Sequence, residues 1–301
     1  MADALAADLE ALCRRVRRLR LRVLRKVTAG FGGSYASAFR GPGMEFAELR
    51  HYQPGDDVRR IDWQVTARRR EPYVRRYVEE RELRVLIAMD VSASMGRPGE
   101  GSRKREAACQ AAAALALSAA RSGDRVGGLL FGSTLVSTMP LRRGERHALD
   151  VVRMTLSEGD AGARTDLRPA LSRLRNLHGR AVVFLLTDFL TEPPAWDAGV
   201  RRLLAACGRK HDLLAICLRD PAAGALPEDA LLEVRDAESA RRLVLDTFGT
   251  RGKSAGSFQE AHARRTAQTL SACGIPFVNL APEDDCVGRL LELFRARGRR
   301  R

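Results

Sequence analysis

Val85-Leu86-Ile87-Ala88-Met89-Asp90-Val91-Ser92-Ala93-Ser94 is the stretch on which the fold turns. An apolar run of this length, with charge before it and small polar residues after it, reads as a buried strand of a parallel sheet. Asp90 then stands at the carboxyl end of the strand, and Ser92 and Ser94 follow at alternate positions in the loop. One carboxylate and two hydroxyls aimed at a common point are hard oxygen donors, the kind that a small divalent cation such as Mg²⁺ takes.

From this strand onward the pattern alternates. Strands are expected at 83–89, 126–131, 135–140, 181–187, 213–218 and 276–280, with a weaker one at 242–248, and helices at 104–121, 145–156, 167–176, 195–207, 257–272 and 285–296. Elements of these lengths in this order predict an α/β fold: a doubly wound, mostly parallel sheet with helices on both faces. Gly132-Ser133 breaks the segment 126–140 into a hairpin, which adds one antiparallel edge strand. In the helix at 104–121 the alanines Ala107, Ala108, Ala111, Ala112, Ala116 and Ala119 share one side with Leu115, so it can lie close to the sheet.

The flanks differ in texture. Leu5, Leu9, Leu12, Val16, Leu19 and Val23 form an apolar seam in a helix over 3–27, crowded with basic residues from Arg14 to Lys26. Such a helix docks on its own domain, on a partner or on anionic lipid. Residues 34–82 are rich in Arg, Glu and Tyr and carry turn signals at Gly41-Pro42-Gly43 and Gln53-Pro54-Gly55-Asp56. They predict a small β-rich subdomain of short strands, ordered by Asp–Arg pairing around Phe46, Tyr52, Ile61 and Trp63. The chain thus divides into a basic helix (1–33), the β-rich unit (34–82), the α/β domain (83–296) and a basic tail (297–301). The run Arg295 to Arg301 reads as a solvated, frayed end.

Bulk properties narrow the function. The net charge is +15, with 52 Lys and Arg against 37 Asp and Glu, which favours acidic partners. The 6 cysteines include no CxxC pair and lie mostly in apolar stretches, which argues against a zinc site or a disulfide framework and for a reducing cytosol. No apolar run reaches the roughly 18 residues of a membrane span, and no signal-peptide pattern opens the chain. The reading is a soluble cytoplasmic protein.

Function in a doubly wound sheet lies outside the carboxyl ends of the strands, where strand order reverses. Val182-Val183-Phe184-Leu185-Leu186-Thr187 is the second strong central strand, and Asp188 follows it directly. Between the two strands, Gly162-Ala163-Arg164-Thr165-Asp166-Leu167 is a turn opening a helix, with the Thr165 hydroxyl free at its start. Asp-x-Ser-x-Ser by itself is a common loop or helix cap. With Thr165 and Asp188 at matching places it reads as a metal site.

These pieces together resemble the metal-ion-dependent adhesion site of von Willebrand factor A domains, at Asp90, Ser92, Ser94, Thr165 and Asp188. The resemblance implies serine and threonine contacts to Mg²⁺ (or Mn²⁺ or Ca²⁺ in its place), aspartates acting largely through water, and a sixth position for a partner's carboxylate. Upstream, Gly41 to Trp63, with its Arg50-His51-Tyr52-Gln53-Pro54-Gly55-Asp56 core, is similar to the signature of the bacterial domain-of-unknown-function family fifty-eight, in which a von Willebrand A-like domain follows such a segment. That resemblance implies a non-enzymatic adaptor or chaperone-like partner of a MoxR-type AAA+ ATPase.

Two other readings stay open. Asp90 could be the nucleophile of a Mg²⁺-dependent phosphohydrolase, although such sites want an acid where Ser92 stands and a nearby Lys. The basic N-terminal helix and Arg tail could bind nucleic acid or an anionic membrane surface, weakly and without sequence specificity. No Gly-x4-Gly-Lys-Ser loop is present. His51, His147, His178, His211 and His262 do not group with a candidate nucleophile, so no catalytic residue is nominated.

Overall fold

The computed structural model describes residues 34–35, 38–39, 45–78, 82–96, 103–156, 164–190, 197–220, 230–235, 242–246 and 254–298. The helix expected over 3–27 lies outside the described residues.

The central sheet has six strands in the order β10-β7-β6-β3-β4-β5. They are β3 (Arg84–Asp90), β4 (Arg125–Phe131), β5 (Leu135–Arg142), β6 (Val182–Thr187), β7 (Asp212–Leu218) and β10 (Phe277–Leu280). All neighbours pair in parallel except β5, which runs antiparallel to β4. The chain starts in the middle at β3, builds outward through β4 and β5, then returns to add β6, β7 and β10 on the other side. The reversal of strand order therefore falls between β3 and β6. It places the ends of the two strands chosen from the sequence side by side, with Met89 opposite Leu186.

Period-two alternation divides the core. Val85, Ile87 and Met89 of β3 face one layer with Phe184 and Leu186, and Leu86 and Ala88 face the other with Val183 and Leu185. Helices α2 (Arg103–Arg121), α3 (Glu145–Leu156) and α7 (Cys286–Gly298) cover the first face. Helices α4 (Leu167–Arg175), α5 (Ala198–Lys210) and α6 (Ser254–Ala272) cover the second. The alanine face of α2 is buried, as its small side chains require for close packing. The mixed α/β fold with a mostly parallel sheet is what the alternating pattern predicted. Gly127 and Gly128 let β4 pass close to its surroundings: a Cβ on Gly127 would stand 2.9 Å from the Met139 carbonyl oxygen of β5.

Several local expectations need correction. The segment expected as several short strands is one antiparallel ribbon, β1 (Glu45–His51) with β2 (Tyr73–Val78), enclosing a 3₁₀ turn at Val58–Arg60 and helix α1 (Trp63–Arg69). Its aspartates also cap local turns. Asp57 accepts from the Arg59 amide and Asp62 from Gln64 and Val65, while Asp56 does pair with Arg50 at 2.5 Å. Trp63 is 68% exposed and forms no core; among the described residues Tyr73 packs on His51, with Arg69 over the tyrosine.

Residues before the ribbon belong to the main core. Tyr35 donates to buried Asp124, and Phe39 stacks edge-on against Phe184 and Phe294. The weak strand at 242–248 is β9 (Arg242–Asp246). Among the described residues it pairs with β8 (Leu231–Arg235), which the pattern missed, as a two-stranded antiparallel unit apart from the central sheet. The frayed tail is also overturned from its near end: α7 continues to Gly298, and Arg297 is 4% exposed. Its guanidinium bonds Asp212 (Nε to Oδ2, 2.6 Å) and the Ala38 carbonyl and lies over the Phe39 ring. A charge run read as solvated hid one arginine at helical spacing that faces inward.

Candidate metal centre

Strand β3 ends at Asp90, fully buried, and the chain turns into a 3₁₀ turn at Ala93–Met95. Ser92 occupies the N-cap position of that turn, yet its side chain caps nothing. Its hydroxyl accepts from Thr165 Oγ1 at 2.8 Å and lies 3.2 Å from Ser94 Oγ, which is 3.4 Å from Thr165 Oγ1. Thr165 is not the cap of its helix either. Asp166 caps α4 by accepting from the Arg168 amide, and the Asp166 amide donates to the Gly132 carbonyl at 3.1 Å. Capping duties thus fall to a neighbour and three hydroxyls converge.

The two aspartates sit in different settings. Asp90 Oδ1 accepts from the Ser92 amide at 2.9 Å and Oδ2 from the Thr187 hydroxyl at 2.6 Å. Burial first, and the Asp188 charge second, push its carboxyl up to about 7, against the pull of those hydrogen bonds. Asp188 Oδ1 accepts from the Leu190 amide at 3.0 Å, and Oδ2 takes the Lys104 ammonium at 2.7 Å. The turn that holds it is strained: Phe189, a buried non-glycine residue, has φ 56°. That conformation lets the Phe189 amide donate to Thr187 Oγ1 at 3.0 Å, so Thr187 links Asp90 to the turn beyond Asp188.

All five residues chosen from the sequence come together through a chain of contacts: Ser92, Ser94 and Thr165 by their hydroxyls, Asp90 through the Ser92 amide, and Asp188 as the second carboxylate acting on Asp90. Three further residues were missed. Thr187 orients Asp90, Lys104 neutralises Asp188, and buried Arg105 bonds the Asp90 and Thr155 carbonyls at 3.0 Å each. A signal for two of them was present. Arg103-Lys104-Arg105 opens α2, where the helix dipole disfavours cations, so acidic or carbonyl partners had to lie nearby.

The donor set fits a hard cation. It offers three hydroxyl oxygens and two carboxylates, and a cation would offset the charge that burial makes costly on Asp90. Among the described residues no group of three or more His, Cys, Asp or Glu side chains is arranged for a metal. A hydroxyl-rich centre with two carboxylates is a different class, suited to Mg²⁺ rather than zinc.

A family model described as "Protein of unknown function DUF58" matches residues 48–268. The chain belongs to the DUF58 family. An uncharacterised protein of Mycobacterium tuberculosis (strain H37Rv) is 33% identical over 290 residues, covering 94% of this chain and 89% of that protein. An uncharacterised protein of Mycobacterium bovis aligns with the same figures. Among solved structures, an aerotolerance-related membrane protein from Bacteroides fragilis gives a TM-score of 0.46 at 14% identity, covering 72% of this chain and 99% of that one. A conserved hypothetical protein BatB from Bacteroides thetaiotaomicron gives 0.44 at 15% with the same coverage. A mussel byssus matrix protein, described with a zinc-occupied MIDAS motif, gives 0.34 at 14%, covering 45% and 37%. At these TM-scores the geometry of the site, not the likeness, carries the functional reading. No helix among the described residues is long and apolar enough to cross a membrane.

Proposed function

We propose that this DUF58 protein is a non-enzymatic, Mg²⁺-dependent binding module of von Willebrand A type. Ser92, Ser94 and Thr165 would hold the ion, Asp90 and Asp188 would balance it, and an acidic side chain of a partner protein would complete it. The observation that carries this is the convergence of three hydroxyls, 2.8–3.4 Å apart, between two strand-end aspartates. Neutral oxygens around Mg²⁺ leave it electrophilic towards an incoming carboxylate. The partner we assign is a MoxR-type AAA+ ATPase in the cytoplasm, with the basic surface of the chain favouring an acidic face.

The phosphohydrolase reading gains a lysine at the site in Lys104 but is weakened by Asp90. A nucleophile must reach its substrate, and Asp90 has no exposed surface and both oxygens engaged. For nucleic acid, no recognition motif or aromatic stacking platform accompanies the charge.

The test is capture of a purified MoxR-type ATPase from the same genome on immobilised chain, in Mg²⁺, in EDTA and with Asp90→Ala. Capture that is lost in EDTA and in the variant supports the reading. Capture indifferent to both removes the metal from it.

A further inference from the structure

Beside the candidate centre lies a second recess. A pocket of about 380 Å³ opens at the carboxyl ends of β6 and β7 and shares Lys104 and Asp188 with the metal site. Helix α6 lines its other side, held there by His262, whose Nε2 lies 3.1 Å from the Asp188 carbonyl.

Arg219 is the residue of interest. It follows β7 directly, and its amide donates to the Leu280 carbonyl at 2.9 Å, so its backbone is pinned between the ends of β7 and β10. Its guanidinium is half-buried in the pocket wall and makes no ion pair or hydrogen bond among the described residues. Partial burial pulls its pKa down, the mark of a cation that has lost water without gaining an anion. Glu260 lines the same pocket but pairs with Arg264 instead. A half-buried guanidinium left without a carboxylate is costly unless a ligand supplies one.

The rest of the wall narrows the ligand. Leu190 and Leu218 are apolar, and burial pushes the Cys217 thiol up to about 12, so it too presents a neutral surface. Asp220 and Glu260 at the same pocket disfavour a doubly charged phosphate more than a single carboxylate. An aliphatic stem ending in one carboxylate is a glutamate side chain.

We infer that this pocket is a carboxylate subsite built on Arg219, which takes a glutamate of the same acidic partner whose other carboxylate meets the metal. The inference rests on the metal-dependent binding reading and extends it from one acidic residue to a paired acidic motif. Arg219 supplies a planar fork of donors suited to a carboxylate, and Lys104 both lines the pocket and bonds Asp188 of the metal site.

The probe is fluorescein-labelled hexaglutamate, followed by anisotropy on the full chain at physiological salt, in Mg²⁺ and in EDTA. Arg219→Gln should weaken binding about tenfold or more, whereas Arg146→Gln, which removes the same charge from an exposed position on α3 away from the pocket, should leave it nearly unchanged. Arg219→Lys, which keeps the charge but not the fork, should fall between, and thermal melts verify that each variant is folded. Equal effects of Arg219→Gln and Arg146→Gln overturn the subsite, as does displacement of the probe by inorganic phosphate at lower concentration than by glutarate. If EDTA and Asp90→Ala leave binding intact while Arg219→Gln weakens it, the subsite stands and the metal reading falls. If EDTA abolishes binding and Arg219→Gln is silent, the reverse holds.

Discussion

Lys104 Nζ donates to Asp188 Oδ2 at 2.7 Å, with side-chain exposures of 14% and 2%, so a protein cation already stands on one of the two carboxylates of the candidate centre. The pair is mostly removed from water and less screened than a surface ion pair. An incoming metal must share Asp188 with it or displace it.

Lys104→Met should therefore tighten Mg²⁺ binding by roughly tenfold, equivalent to about 1.4 kcal/mol. Titration calorimetry of both proteins measures it directly. Weaker binding in the variant would mean that Lys104 organises the site rather than competing for it.

Asp90 gives the pH dependence. Its carboxyl sits at about 7 in the folded chain against 3.8 in the unfolded one, so the folded state holds its proton more tightly. The contribution of this group to stability is full below 3.8, declines as pH rises and is lost as pH passes through about 7. The metal-free protein should thus lose thermal stability between pH 5 and 8 relative to Asp90→Asn, whose side chain carries no charge. At pH 8 the variant should melt higher by a few degrees, since each kcal/mol is worth roughly 2–4 °C in a chain of this size. Saturating Mg²⁺ should reverse the order, because only the wild type gains from the ion. Parallel wild-type and variant melting profiles would refute the assignment.

Arg297→Ala should cost about 3 kcal/mol, because it removes the buried ion pair with Asp212 and uncovers the Phe39 ring. Urea unfolding quantifies the loss. A change under about 0.5 kcal/mol would restore the solvated-tail reading.

The two glycines of β4 should respond unequally to alanine. On Gly127 the new methyl meets the backbone of β5, which cannot move without breaking the ladder, at a cost of roughly 1–3 kcal/mol. On Gly128 it meets the terminal methyl of Met154, the far end of a flexible side chain, and the loss should be smaller. Equal losses in urea titrations would contradict this.

Local pattern determined much of this protein. The apolar run into Asp90, the run into Asp188 and the alanine face of α2 follow from residue periods of two and 3.6, which neighbours along the chain impose on one another. Asp90, Ser92, Ser94, Thr165 and Asp188 were legible because strand ends and helix starts are local events, and β3 and β6 are the strongest apolar runs. Where the period was mixed, as in 34–82 and around β8 and β9, the reading failed: caps looked like ion pairs, Trp63 looked like core, and β8 had no signal of its own. Only the tertiary structure decided what meets across the chain. Thr187 reaches Asp90 over 97 residues, Lys104 reaches Asp188 over 84 and Arg297 reaches Asp212 over 85. These pairings depend on the strand order β10-β7-β6-β3-β4-β5 and on which helix lies over which face. A charge in a sequence shows what it could pair with, and only the packed fold, by choosing the neighbour and removing the water, decides what it does.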